Sequence, residues 1–220
     1  MKFKLLLRST GLQILILFWL FMPVANGQEL KENPELDARV QKFLDSREGQ
    51  WRDLNVPTID GQILYNLIIE NKLQSGLEIG TSTGHSAIWI AWAFSKTGGK
   101  LITVEINESR YKQALENFKE AGLSEYIDAR LANAHHLVPE LKGPFDFVFS
   151  DADKNWYKNY FIAVDPNLIS GGFYVTHNVY YRDRLRSGNM AEYVNYLLNH
   201  PNYTTTFDDS GNGLSISIKK

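Results

Sequence analysis

The sequence predicts an α/β fold, a mostly parallel sheet with helices on both faces, and three observations carry that reading. Short apolar runs alternate with segments of helical periodicity from residue 28 onward. Polar side chains gather directly after the apolar runs, at Asp151-Ala152-Asp153-Lys154 and at His177-Asn178, where the carboxyl ends of strands in an open α/β sheet bind ligands. A glycine loop, Gly80-Thr81-Ser82-Thr83-Gly84, joins the first strand to an apolar helix. The 220 residues, 44% hydrophobic and 22% charged, supply one substantial core and leave no room for a second full domain.

At the amino terminus, Lys2, Lys4 and Arg8 precede an apolar run from Ile14 to Met22, and Ala25 and Gly27 frame a cleavage point before Gln28. Residues 1–27 are therefore expected to be a signal peptide or an N-terminal anchor, since counting from Gly11 to Val24 brings an uncleaved membrane segment within reach. The expected localisation is exported or membrane-anchored. A true start at Met22 would instead leave the protein in the cytoplasm.

Residues 28–220 form the expected domain. Asn33 and Pro34 open a first helix as N-cap and first-turn residue, with Leu36, Val40, Phe43 and Leu44 at helical spacing. A second helix follows Thr58, with Ile63, Leu64, Leu67 and Ile68 on one side and Gly76 past its end. Leu77 to Ile79 is the first strand, and the helix after its loop runs from Ser86 to Phe94. Leu101 to Glu105 is the second strand, after which Asn107 caps a helix that Gly122 ends. Strands follow at Ile127 to Leu131, Phe145 to Ser150 and Phe173 to Thr176. A helix from Met190 to Leu198 precedes a terminal antiparallel pair, Tyr203 to Phe207 with Leu214 to Ile218, whose apolar residues alternate at period two.

A net charge of -2 gives no global basic field for sequence-independent nucleic-acid binding, so a small-molecule partner is expected. The absence of cysteine excludes disulfides, thiolate catalysis and Cys-ligated zinc. The glycine spacing G-x-x-x-G matches neither the dinucleotide fingerprint nor the P-loop, which suits a nucleoside ligand without a diphosphate. Glu105, at the end of the second strand, can accept hydrogen bonds from both hydroxyls of a ribose.

The stretches LEIGTSTGHSAIWIA, TVEIN, LANAHHLVPEL, FDFVFSDADKNWYKNYF, GGFYVTHNV and GLSISIKK, in this order and spacing from residue 55 to 220, resemble the class I S-adenosylmethionine-dependent O-methyltransferases of the catechol and caffeoyl-CoA type. The resemblance implies a Rossmann-like seven-stranded sheet with the last strand antiparallel. It implies methyl transfer to a hydroxyl of a small, catechol-like acceptor, and a homodimer. Carried over by position, it implies that Glu78, Gly80, Gly84 and Ser86 line the methionine end of the donor, that Glu105 holds the ribose and that Asn133 and Ala134 sit beside the adenine. Asp151 is expected at the junction of donor and metal.

The same resemblance places a metal-and-base cluster on Asp151, Lys154, His177 and Asn178. A divalent cation chelated by adjacent acceptor oxygens lowers the hydroxyl's pKa, and Lys154 takes the proton. His177 departs from the pattern, which has a second Asp there. A nitrogen ligand suits manganese, iron or zinc better than magnesium. Three readings of His177 stand side by side: a ligand in a changed metal site, a general base in a metal-free site, and a residue with no catalytic part. The rival function is a catalytically inactive binding module on the same fold, and a nicotinamide oxidoreductase is disfavoured by the loop spacing.

Overall fold

A computed structural model of the protein describes residues 29–51 and 54–220. The expected signal or anchor segment lies outside them. Among the described residues no helix is long and apolar enough to cross a membrane.

A seven-stranded sheet carries the fold, in the order β3-β2-β1-β4-β5-β7-β6. Its strands are β1 (Ser75–Ile79), β2 (Lys100–Glu105), β3 (Ile127–Leu131), β4 (Phe145–Ser150), β5 (Leu168–His177), β6 (Tyr203–Asp208) and β7 (Leu214–Lys219). β1 to β5 pair in parallel, and β7 inserts antiparallel to both β5 and β6. The strand order reverses between β1 and β4, so a crevice opens above their carboxyl ends.

The helices are α1 (Pro34–Ser46), α2 (Thr58–Asn71), α3 (His85–Thr97), α4 (Glu108–Ala121), α5 (Ala134–Leu137), α6 (Tyr157–Val164) and α7 (Asn189–Leu198). Asn33 caps α1 by accepting from the Leu36 amide, and Asn107 caps α4 by accepting from the Arg110 amide. α2 ends at Lys72 in a left-handed conformation, before the expected stop at Gly76. β5 is longer than the apolar run Phe173 to Thr176 predicts, because it starts at the buried Leu168 and passes through the exposed Ile169, Ser170 and Gly171, where exposure and glycine hide a strand.

Strand period sorts the core to the two sides of the sheet. Phe147, Phe149, Phe173 and Val175 pack with α1, α2, α3 and α4, while Leu77, Ile79, Val148 and Tyr174 pack with α6 and α7. α3 is buried on almost every side, as its apolar sequence requires. His177 falls on the same side as Phe173 and Val175, so its ring faces α2 rather than solvent.

Candidate active site

The carboxyl ends of β1, β2 and β4 are laced together by backbone bonds. Gly80 and Thr81 donate to the Val104 carbonyl at 3.0 and 3.2 Å, and Asp151 donates to the Ile79 carbonyl at 2.8 Å. Gly80 has φ +102°, and a Cβ there would lie 2.6 Å from the Asp151 carbonyl oxygen, so only glycine lets the two segments meet. Gly84 has φ +97° and faces the Phe118 ring, so its requirement is the seating of α3 against α4.

Glu105 is held rigidly. Its Oε2 accepts from the Ser82 amide and its Oε1 from the Asn107 amide, each at 2.8 Å. Each oxygen keeps a second lone pair for a ligand hydroxyl. Gly80, Glu105, Asn133, Ala134 and Asp151 line one cavity of about 300 Å³. The Asn133 Oδ1 already accepts from the His135 amide at 2.9 Å and caps α5. Beside it the His135 ring stacks on Trp156 at 3.8 Å and 11°, with Nε2 3.3 Å from Asp153 Oδ2. Trp156 thus backs the His135 ring, which lines the cavity.

Glu78, Gly84 and Ser86 do not line the cavity: Glu78 and Ser86 are buried in β1 and the first turn of α3, and Gly84 closes the loop between them. Thr103 Oγ1 donates to Glu78 Oε2 at 2.5 Å, and Thr81 in turn bonds Thr103. Glu78 Oε1 has no hydrogen-bond partner. Burial pushes the Glu78 carboxyl up to about 8, against the Ser86 and Thr103 hydroxyls, which favour the ion.

Lys154 and Asn178 line a second cavity of about 550 Å³, with Tyr180, Asp183, Arg186 and Met190 on its walls. The two cavities adjoin along the chain, since Asp153 borders the first and Lys154 the second. Asn178 adopts φ +57°, a left-handed backbone that asparagine tolerates, and its Nδ2 donates to the Asn212 carbonyl at 3.3 Å.

His177 lines neither cavity and is 3% exposed. Its Nε2 lies 3.0 Å from Asp60 Oδ2, and its Nδ1 lies 2.9 Å from Asp151 Oδ2, a charge contact bent away from hydrogen-bond geometry. Burial alone would lower its pKa, but the two carboxylates outweigh burial and hold it at about 9. Asp60 was not singled out by the sequence. Its one signal is spacing, since it shares the buried stripe of α2 with Leu64 and Ile68 at steps of one helical turn.

Of the expected metal set Asp151, His177 and Asn178, Asp151 Oδ2 and His177 Nδ1 face each other at 2.9 Å. His177 Nδ1 has no hydrogen-bond partner, while Nε2 faces the buried Asp60 carboxylate. Among the described residues no group of three or more His, Asp or Glu side chains is placed to hold a metal ion. His177 is badly placed as a general base, because it reaches neither cavity.

Comparison with known proteins identifies the lineage. The chain matches the O-methyltransferase family over residues 31–202. It is 37% identical over 112 residues to a catechol O-methyltransferase of Niastella koreensis, covering 49% of this chain and 50% of that protein. It is 31% identical over 148 residues to a caffeoyl-CoA O-methyltransferase of Petroselinum crispum, covering 64% and 59%. The chain spans about half the length of the curated relatives it matches. The O-methyltransferase TomG from Streptomyces achromogenes, solved in complex with SAM, superposes with TM-score 0.69 at 26% identity, covering 87% of this chain and 92% of that one. The SAH-bound methyltransferase PaMTH1 of Podospora anserina superposes with TM-score 0.72 at 18% identity, covering 83% and 88%. The sheet is thus the Rossmann-like sheet of SAM-dependent methyltransferases, and the chain belongs to the O-methyltransferase family.

Proposed function

We propose that the protein transfers a methyl group from S-adenosylmethionine to a hydroxyl of a small, catechol-like acceptor. The observation that carries the reading is Glu105, a carboxylate pinned by two backbone amides at the wall of the first cavity with lone pairs left for a ribose. The names of the relatives in Niastella koreensis and Petroselinum crispum support the acceptor class.

When bound, the donor supplies an electrophilic methyl on a sulfonium sulfur. Glu105 holds the ribose, and Asn133 and Ala134 border the adenine. Asp151 closes the cavity toward the acceptor. The acceptor occupies the second cavity beside Lys154. As the acceptor oxygen bonds to the methyl carbon, the carbon–sulfur bond breaks and its electron pair leaves on a neutral thioether, while the hydroxyl proton passes to the Lys154 amine. No step is assigned to a divalent cation.

The test is the full chain with labelled S-adenosylmethionine and a panel of catechols. Labelled ether product is the expected result. Donor binding with no transfer to any acceptor would overturn it in favour of a binding module. Glu105→Ala is expected to weaken donor binding by about 1.5–3 kcal/mol, roughly 10- to 150-fold, the range for hydrogen bonds to a charged group. Calorimetry on a folded variant with unchanged affinity would remove Glu105 from the site.

A further inference from the structure

We propose that the acceptor carries a carboxylate on its side chain and that Arg186 holds it, so that the second cavity selects an aromatic acid over its neutral and cationic analogues. That the acid is then methylated rests on the methyl-transfer reading; its affinity rests on the cavity alone.

The two cavities differ in charge. The first is walled by Glu105, Asp151 and Asp153 against Arg110, a surplus of negative charge suited to a sulfonium donor. The second takes a wall from segment 180–187, between β5 and α7, which sets Arg182, Arg184 and Arg186 against the single acid Asp183. The three arginines are not equivalent. The guanidinium groups of Arg182 and Arg184 lie 3.9 Å from the ring centroids of Tyr180 and Tyr181, so both are laid on neighbouring aromatic faces, and Arg182 also reaches Asp209 at 3.9 Å. Of the three, only Arg186 lines the cavity.

Asp183 ties this segment together. It is buried, its Oδ2 accepts from the Tyr180 amide at 2.9 Å, and its Oδ1 accepts from Arg186 Nη1 at 3.1 Å. That bond engages one edge of the guanidinium. The Arg186 side chain is 72% exposed, so its other N–H groups stay within reach of a ligand, in the planar fork that matches two carboxylate oxygens. A carboxylate fits this place better than a phosphate. Asp183 already balances much of the arginine's charge, and a phosphate monoester would bring about -1.5 to -2 charges to it.

The remaining walls suit an aromatic body. The Tyr180 ring is seated against Gly213, where an added Cβ would meet it at 2.6 Å, and Met190 supplies an adaptable thioether. The volume of about 550 Å³ lies within the range of roughly 300–1,000 Å³ that holds whole ligands, which leaves room for a tail beyond the ring. Lys154 follows β4 and Asn178 follows β5, whereas Arg186 comes from the segment before α7, so ring hydroxyl and tail meet different walls.

The test uses the full chain saturated with S-adenosylhomocysteine, which permits acceptor binding without turnover, with magnesium and manganese chloride in every arm. Calorimetry compares dihydrocaffeate, a catechol with a propanoate tail, with its amide, the corresponding amine and the corresponding phosphonate. The acid is expected to bind about 10- to 100-fold tighter than the amide, the range for hydrogen bonds to a charged group, and the amine weakest of all. Arg186→Gln should bring acid and amide to near parity, and Arg186→Lys should keep part of the preference. Arg184→Gln, an equal loss of charge on the same segment, should keep the preference whole. In methylation assays with S-adenosylmethionine, Arg186→Gln should raise KM for the acid far more than it lowers kcat. No saturable binding of the acid, parity of acid with amide or amine in the wild type, a phosphonate bound tighter than the acid, or equal effects of Arg184→Gln and Arg186→Gln would each overturn the proposal. If the acid binds with this preference and no acceptor is methylated, the methyl-transfer reading falls and the carboxylate site stands; if acid and amide are methylated with equal KM, the reverse holds.

Discussion

Replacing His177 with alanine is expected to lower folding stability by about 3–5 kcal/mol, the usual cost of removing one partner from a buried charge pair. The loss comes less from the missing contacts than from what remains. Asp60 is 0% exposed, and its Oδ1 already lacks a hydrogen-bond partner. Without the ring it becomes an uncompensated buried anion. Replacing both Asp60 and His177 with leucine should recover much of the loss, because an apolar pair avoids the desolvation cost altogether. Urea unfolding of the wild type, the single and the double variant measures this; a double variant as unstable as the single one would refute the charge argument. The pH dependence gives a second signature. His177 is raised from its ordinary value of 6.5 to about 9, so the native state holds the proton more tightly than the unfolded chain. Its contribution, at most about 3 kcal/mol, is fully present below pH 6.5 and is lost as pH rises through 9. Glu78, raised by burial from 4.5 to about 8, acts in the same direction over pH 4.5–8. Stability should therefore fall steadily from mildly acidic to alkaline pH, and His177→Ala should abolish only the upper part of that fall.

The features most legible in the sequence are those whose signal is local. The strands Ile127–Leu131 and Phe145–Ser150 have the bounds that their apolar runs predict, since turn residues flank them. Gly80, Glu105, Asn133, Ala134 and Asp151 line one cavity because each follows a strand at the same end of the sheet, and a parallel sheet places all such positions together. Glu78, Gly84 and Ser86 belong to the same motif but do not line it, a distinction set by strand period and by the depth of α3. His177 stands out in the sequence as a departure from the pattern, yet the departure has no meaning without its partner. That partner, Asp60, lies 117 residues away, and its acidic first-turn position in α2 looks like an ordinary exposed helix start. Only the packing of α2 onto β5 turns it inward. A list of residue types names candidate ligands, while the direction of each lone pair depends on contacts made across the fold.

Gly80→Ala is expected to weaken donor binding and to lower the transfer rate on the order of 100-fold, the loss typical of a displacement of about 1 Å in a reacting site. Two costs coincide at this position. The backbone sits at φ +102°, which a side chain resists, and the added Cβ would lie 2.6 Å from the Asp151 carbonyl oxygen and 2.8 Å from its carbonyl carbon. Neither atom is the end of a flexible chain. Relief requires the start of the Asp151 segment to move away from β1, straining the 2.8 Å bond from the Asp151 amide to the Ile79 carbonyl. Asp151 lines the first cavity, so that movement displaces the donor wall. Strain and overpacking together are expected to cost about 2–5 kcal/mol of stability. Gly171→Ala supplies the control: it carries a similar conformation, φ +79°, with nothing within 4 Å of the added carbon. It should cost about 1 kcal/mol through the backbone alone and leave donor affinity untouched. Calorimetric titration of both variants with S-adenosylmethionine separates the two effects, since strain without crowding lowers stability only. Equal donor affinity in Gly80→Ala and Gly171→Ala would show that the meeting of β1 and the Asp151 segment does not shape the donor cavity.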